Sequence, residues 1–195
     1  MNAVRYWLAV YVLTLVPPAF LFWFSIHPFV RFWRSVGPRL TLGIHFSGAA
    51  IAAGLIYWVR RPLLSMEFGT NFALIALAIP LLLAAELIRR RFSKHLRLWI
   101  LVGLPELEPA RHNIPLLTEG IYGRVRHPRY LQFFLSHAAL ALICNYLAIY
   151  ILLAVLAAMM FPLVVIEERE LRARFGAEYD AYCARVPRFI PKMRP

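Results

Sequence analysis

Arg126-His127-Pro128-Arg129-Tyr130 opens into an apolar block, Leu131 to Ile143, which turns at Cys144-Asn145-Tyr146, runs back as Leu147 to Ile166 and ends on Glu167-Glu168. Two apolar blocks around a short polar break read as a helical hairpin, and the hairpin decides the fold. A helix rises ~1.5 Å per residue and the core of a bilayer is ~30 Å thick. The second block is long enough to cross it. The first, even with Arg129 and Tyr130, is short and enters at a tilt. Asparagine is a routine turn residue, so Asn145 needs no further role. The hairpin brings its two polar ends to one membrane face, a cationic and aromatic set on one side and paired carboxylates on the other.

Working outward, three more apolar blocks precede the hairpin. Val4 to Ile26 contains Pro17-Pro18, which either kinks the block or divides it into a span and an interfacial turn. Leu42 to Val59 is rich in Gly, Ala and Ser, residues that let helix backbones approach closely. Phe68 to Ile88 contains Pro80 and Glu86, and Glu86 lies about one turn from Arg89-Arg90-Arg91, so a local ion pair accounts for it. With 61% hydrophobic residues and a mean hydropathy of +0.62, the chain exceeds the roughly half-apolar composition of soluble domains. No cleavable signal is read at the first block, which is long enough to span. The expected fold is therefore all-α: one integral membrane helical bundle of about five spans, with residues 1–88 as anchoring spans and 117–191 as the functional core.

The formal net charge of +12 could point to nucleic acid, but the basic residues flank apolar blocks, where anionic lipid headgroups meet them. No soluble basic module exists to bind nucleic acid. Nineteen of the 22 Lys and Arg residues fall in the connections His27–Thr41 and Arg89–Tyr130 or after Ile166, leaving Arg5, Arg60 and Arg61 for the other side. The positive-inside rule places the crowded side in the cytoplasm and the N-terminus outside. Trp7, Trp23, Trp58 and Trp99 lie near block ends, where indoles prefer to sit. Cys144 and Cys183 have neither metal spacing nor a disulfide framework, and no metal is expected. His45 and His137 lie within spans, where a helix-packing histidine is the ordinary reading.

Beyond Ile166, Leu171, Phe175, Tyr179 and Tyr182 recur at helical steps among charged residues. Glu170 and Arg174, then Arg174 and Glu178, have the four-residue spacing of helix-surface pairs. The last span thus continues into a cytoplasmic amphipathic helix, interrupted at Gly176 and ended by Pro187 and Pro191. At its other end, proline at the first helical position starts a helix and holds the preceding His127 extended. This aims Arg126 and His127 away from the helix.

The ordered set Gly120-Ile121-Tyr122-Gly123-Arg124-Val125-Arg126-His127-Pro128-Arg129-Tyr130, Cys144-Asn145, Glu167-Glu168, Leu171, Phe175-Gly176, Glu178-Tyr179 and Tyr182 resembles the isoprenylcysteine carboxyl methyltransferase family of membrane enzymes. Phospholipid N-methyltransferases share much of it. The resemblance implies a small helical membrane enzyme that uses S-adenosylmethionine, held at the cytoplasmic face. It also implies that Tyr122, Arg126, His127, Pro128 and Tyr130 line the cofactor pocket on one side, and that Glu167, Glu168, Leu171 and Tyr182 close it on the other. Carboxylates suit the cofactor's hydroxyls and ammonium, and Arg126 or His127 its carboxylate. A dinucleotide-type Gly-rich loop after a strand is absent from the sequence. The expected acceptor is a lipophilic or lipid-linked molecule, a carboxyl, amine or thiol, reached from the membrane lipids; a carboxylate needs no base. Arg126, His127 and Glu168 are the catalytic candidates, with His127 or Glu168 as base if an amine or thiol must lose a proton.

Two departures stand out. Gln132 replaces the small residue usual after the tyrosine, and Phe161 to Ile166 lacks the arginine that many prenylcysteine enzymes carry before the glutamate pair. Alternatives are an NADPH-dependent reductase of sterol-like double bonds, whose known members share similar C-terminal motifs, and a non-catalytic membrane scaffold.

Overall fold

The computed structural model describes residues 1–93, 104–108 and 115–191. Lys94, Arg97, Trp99 and Arg111 of the polar connection lie outside the described residues. The described secondary structure is helical apart from one isolated bridge between Glu67 and Tyr146. In chain order the helices are α1 Asn2–Ile26, α2 Val30–Val36, α3 Pro38–Trp58, α4 Arg60–Leu63, α5 Phe72–Ser93, α6 Leu104–Leu107, α7 Pro128–Cys144, α8 Leu147–Phe175 and α9 Ala177–Arg185. Four of them, α1, α3, α5 and α8, are long and apolar enough to cross a membrane. The 17-residue α7 rises only ~26 Å and is the short arm of the hairpin, in keeping with a bundle of about five membrane helices.

Pro17 and Pro18 do not divide the first block: α1 runs through both. Each proline removes one amide donor, releasing the carbonyls of Leu13 and Thr14 from their helical bonds. The helix persists because α1 is the central element. Its Ala9, Val12, Leu13, Val16 and Phe20 pack in one apolar core with Cys144, Ile149, Leu156 and Leu163 of α7 and α8. Helix α3 begins at Pro38, four residues before the apolar block, because proline is pre-organised for the first helical position and Gly37 supplies the φ of 88° that precedes it. The small residues of α3 do not all serve close helix contact. A Cβ placed on Gly43, Gly48 or Gly54 would meet nothing within 4 Å, and Thr41 is the buried residue of this helix. Thr41 and His45 turn to α1 and α2: Thr41 Oγ1 donates to Trp33 O at 3.2 Å, and the His45 ring engages Ser25 Oγ and Thr41 O. His137 likewise bonds within its helix, with Nδ1 2.7 Å from Phe133 O. Glu86 chelates Arg89 at 2.6 and 2.7 Å and Arg90 at 2.8 Å, which is the local ion pair its spacing predicts.

The hairpin turn carries Asn145 in the left-handed conformation at φ 56°, ψ 49°, a conformation asparagine tolerates at a helix C-terminus. Its side chain donates to Gly69 O at 2.9 Å and accepts from the Tyr150 hydroxyl at 2.9 Å. Next to it Arg5 is 2% exposed and donates to Cys144 O at 2.8 Å, Glu67 Oε1 at 2.7 Å and Thr70 Oγ1 at 3.1 Å. Arg5 and the turn therefore share one end of the bundle. His27, Arg126 and Glu168 share the other.

Candidate active site

The Gly120–Gly123 segment is a tight turn. Gly120 has φ 61°, and a Cβ on Gly123 would lie 3.1 Å from Thr118 O, so the motif's two glycines are backbone requirements. The turn delivers Arg126 and His127 ahead of Pro128, with His127 outside the helix at φ −119°. Both residues are then clamped by the tail. The Arg126 amide donates to Pro187 O at 2.9 Å and the His127 amide to Arg188 O at 3.1 Å.

Glu168 is the centre of the site. It is 0% exposed, and a buried carboxylate stays ionised only when paired and hydrogen-bonded. Its Oε1 accepts from Arg126 Nη2 at 2.8 Å, Arg126 Nε at 3.2 Å and Arg188 Nε at 3.1 Å. His127 Nε2 lies 3.2 Å from the same oxygen. Oε2 accepts from Arg188 Nη2 at 2.8 Å. Arg126 also donates through Nη1 to Cys183 O at 3.1 Å and to Val186 O, satisfying carbonyls at the end of α9 as basic side chains do at helix C-termini. Arg188 was not among the residues singled out by sequence. Its guanidinium lies 5.6 Å from the ring centroid of Phe161, so the tail brings a cation beside the segment where the sequence has none. The hydrogen bonds to Glu168 hold the Arg188 guanidinium above its ordinary pKa.

Glu167 occupies the opposite flank. Its carboxylate accepts a hydrogen bond from Tyr130, whose ring stands edge-on to His127 at 5.7 Å. His127 Nδ1 is 3.8 Å from Glu167 Oε2, beyond hydrogen-bonding range. Glu167 Oε2 is buried without a hydrogen-bond partner. Glu167 and Tyr130 line a cavity of about 400 Å3 together with Trp23, His27, Gln132 and Phe133, within the ~300–1,000 Å3 of small-molecule sites. Thus α1, which carries no sequence signature, supplies part of the wall. His27 is fixed there by Glu170, 2.8 Å from its Nδ1, and stacks on Trp23 at 5.3 Å. Glu170 therefore pairs across to α1 rather than serving only the helix-surface pairing with Arg174. Arg129 rests over the Trp23 ring at 5.3 Å, a cation–π arrangement.

The remaining candidates gather on the α9 side. The Tyr182 hydroxyl donates to Tyr122 O at 2.7 Å, and Leu171 packs on the buried Tyr179, Tyr182 and Val186. Tyr179 Oη is buried with no hydrogen-bond partner. Burial raises the pKa of Tyr122, Tyr179 and Tyr182, and all three stay neutral phenols. Pro128 is buried at the start of α7. All nine candidates thus fall at one end of the bundle. Cys144-Asn145 does not join them: it forms the turn at the far end.

These features define an integral membrane helical bundle with a buried ionic centre at one end and a partly apolar cavity beside it. Residues 107–178 match the phospholipid methyltransferase family. The chain is 31% identical over 97 residues to the nickel-cobalt-cadmium resistance protein NccN of Alcaligenes xylosoxydans xylosoxydans, covering 50% of this chain and 44% of the relative. It is 31% identical over 114 residues to the cobalt-zinc-cadmium resistance protein CzcN of Cupriavidus metallidurans, covering 58% and 51%. It is 35% identical over 77 residues to the protein-S-isoprenylcysteine O-methyltransferase of Schizosaccharomyces pombe, covering 39% and 33%. The chain spans about half or less of the length of these relatives. No solved structure matches it. Over these stretches the chain is similar to phospholipid and isoprenylcysteine methyltransferases. Among the described residues no group of three or more His, Cys, Asp or Glu could hold a metal ion.

Proposed function

We propose that the protein is an S-adenosylmethionine-dependent methyltransferase whose acceptor is lipophilic or lipid-linked, working at the cytoplasmic face. The observation that carries this reading is the joining of Arg126, His127 and Glu168 into one buried cluster beside a cavity at the basic end of a membrane bundle. The chemistry of the residues fits the cofactor. Two buried polar atoms without partners, Glu167 Oε2 and Tyr179 Oη, flank the cluster, and an adenosyl amino acid offers ribose hydroxyls and an ammonium as donors. Tyr122, Arg126, His127, Pro128, Tyr130, Glu167, Glu168, Leu171 and Tyr182 would hold it. When bound, the cofactor supplies an electrophilic methyl group on sulfur.

The chain's own part is placement. Glu168, tied to two arginines and His127, is a poor base, because protonating it would weaken those bonds. It fixes Arg126 and His127 instead, and holding reactants in register is the larger share of such catalysis. His127 lies between the two carboxylates, 3.2 Å from Glu168 and 3.8 Å from Glu167, where it can hold or pass a proton. The test is calorimetric titration of the purified protein with S-adenosylhomocysteine. Binding that is lost in a folded His127→Ala variant is expected; a folded wild-type protein with no affinity would overturn the reading.

A further inference from the structure

Helices α1 and α3 pack against each other but leave a groove of about 330 Å3 along one side of the contact. It is walled by Leu15, Pro18 and Phe22 of α1 and by His45, Phe46 and Ala50 of α3. Ala49, Ala50 and Ala53 keep its α3 wall low. From His45 to Ala53 that wall rises ~12 Å, close to the ~15 Å that one leaflet contributes to the hydrocarbon core. The imidazole in the wall asks nothing of an occupant. His45 Nδ1 lies 2.7 Å from Thr41 O, and Nε2 is bonded to Ser25 Oγ. The groove therefore suits a plain hydrocarbon chain lying along the bundle.

Its His45 end abuts α2. Trp33 stands edge-on to His45 at 4.6 Å, and its indole donates to Ser25 O at 3.0 Å. Phe29, Phe32, Trp33 and Val36 recur at helical steps on one face while Arg31 falls on the other, the pattern of a helix lying in the membrane plane. Trp33 is docked on the protein, whereas Phe29 and Phe32 are exposed. Arg31 and Arg39 are exposed as well. Because α1, α2 and α3 contain no Asp or Glu, these helices offer the arginines at the mouth of the groove no carboxylate of their own.

We infer that this groove holds one anionic phospholipid of the adjoining leaflet, with an acyl chain between α1 and α3 and its phosphate among the arginines beside α2. A zwitterionic lipid brings the same chain, but its ammonium is set against the arginines. Each arginine at a head group strengthens binding of an anionic lipid about fivefold. Such a lipid undergoes no reaction, so its binding does not depend on methyl transfer.

The experiment uses the full chain, delipidated in detergent and titrated with dioleoyl phosphatidylglycerol, dioleoyl phosphatidylcholine or the soluble head group glycerol 3-phosphate. Melting temperature is followed, and bound lipid is counted by native mass spectrometry. One phosphatidylglycerol per chain is expected, with a rise in melting temperature of about 5 °C at saturation. Phosphatidylcholine should act more weakly and glycerol 3-phosphate not at all. Ala50→Phe, which fills the groove, should abolish retention while the lipid-free melting temperature stays near that of wild type. Ala53→Leu, a smaller intrusion, should weaken retention. Arg31→Gln combined with Arg39→Gln should lower phosphatidylglycerol affinity about 25-fold and leave that for phosphatidylcholine unchanged. Equal effects of the two lipids on wild type would overturn the inference. So would undiminished phosphatidylglycerol binding in both groove variants, which marks a diffuse basic surface, or the full effect from glycerol 3-phosphate, which marks a soluble-anion site. A dimer of this chain that retains no lipid and that Ala50→Phe dissociates would give the groove to a second copy and overturn it equally.

Discussion

Arg188 and Glu168 meet through two hydrogen bonds, Nη2 to Oε2 at 2.8 Å and Nε to Oε1 at 3.1 Å, across 20 residues of chain. The tail is therefore part of the ionic centre and not a trailing segment. Replacing Arg188 by Ala removes one of the cations from a fully buried carboxylate. Because the Arg188 side chain is 37% exposed, water replaces part of what is lost, and the expected cost is about 1 kcal/mol. Thermal unfolding in detergent measures it. Arg188→Lys, which keeps the charge but not the paired geometry, should fall between wild type and Ala.

Glu168→Gln should be far more damaging. Arg126, with its side chain 9% exposed, would be left among protein groups without its anion, at a cost on the order of 3–5 kcal/mol. A much reduced yield of folded protein is expected, and a melting temperature equal to that of wild type would refute the assignment of Glu168 as the site's organising residue.

Gly176 gives a conformational test. Its φ of 54° and ψ of −131° belong to a region that side chains avoid, so Gly176→Ala should cost about 1–3 kcal/mol. The loss should appear as detachment of α9. Arg172, which bonds Asp180 across the break at 3.0 Å, would lose that partner, and protease cleavage near residue 176 would report it.

The α9 tyrosines predict an alkaline limit. Burial raises the phenol pKa of Tyr122, Tyr179 and Tyr182 above the ordinary 10.0. Their contribution is thus fully present below about pH 10. Above it the unfolded chain ionises first, and stability falls as pH rises toward the folded values. Tyrosinate absorbance should therefore rise together with unfolding. Tyr182→Phe, lacking the bond to Tyr122 O, should be less stable by about 1 kcal/mol at neutral pH.

Glu86 supplies the contrast. Its pairs with Arg89 and Arg90 are exposed, so Glu86→Ala should change stability by no more than about 0.5 kcal/mol and leave S-adenosylhomocysteine affinity as in wild type.

The hairpin, the start of α7 at Pro128 and the meeting of Arg126 and His127 with the glutamates were legible because local rules encode them: apolar block length, a turn asparagine, a proline at the first helical position. Arg188 was not, because nothing periodic announces that Pro187 and Arg188 return to bond the amides of Arg126 and His127. His27 was hidden for a related reason. It sits in a connection between helices and finds Glu170 at a separation of 143 residues. The small residues of α3 serve unevenly: the helix packs against α1, yet a Cβ on Gly43, Gly48 or Gly54 would meet nothing within 4 Å. Beside that contact, Ala49, Ala50 and Ala53 border a groove.

Arg5 has a bearing on biosynthesis. It closes the hairpin turn through Cys144 O and pairs with Glu67, yet a ribosome delivers it more than a hundred residues before that turn exists. A buried cation needs partners, and Glu67 is synthesised well ahead of Cys144. Of the partners that hold Arg5 in the finished bundle, the ones in the connection before α5, Glu67 and Thr70, are thus translated first, and the hairpin carbonyl of Cys144 is the last of these to exist.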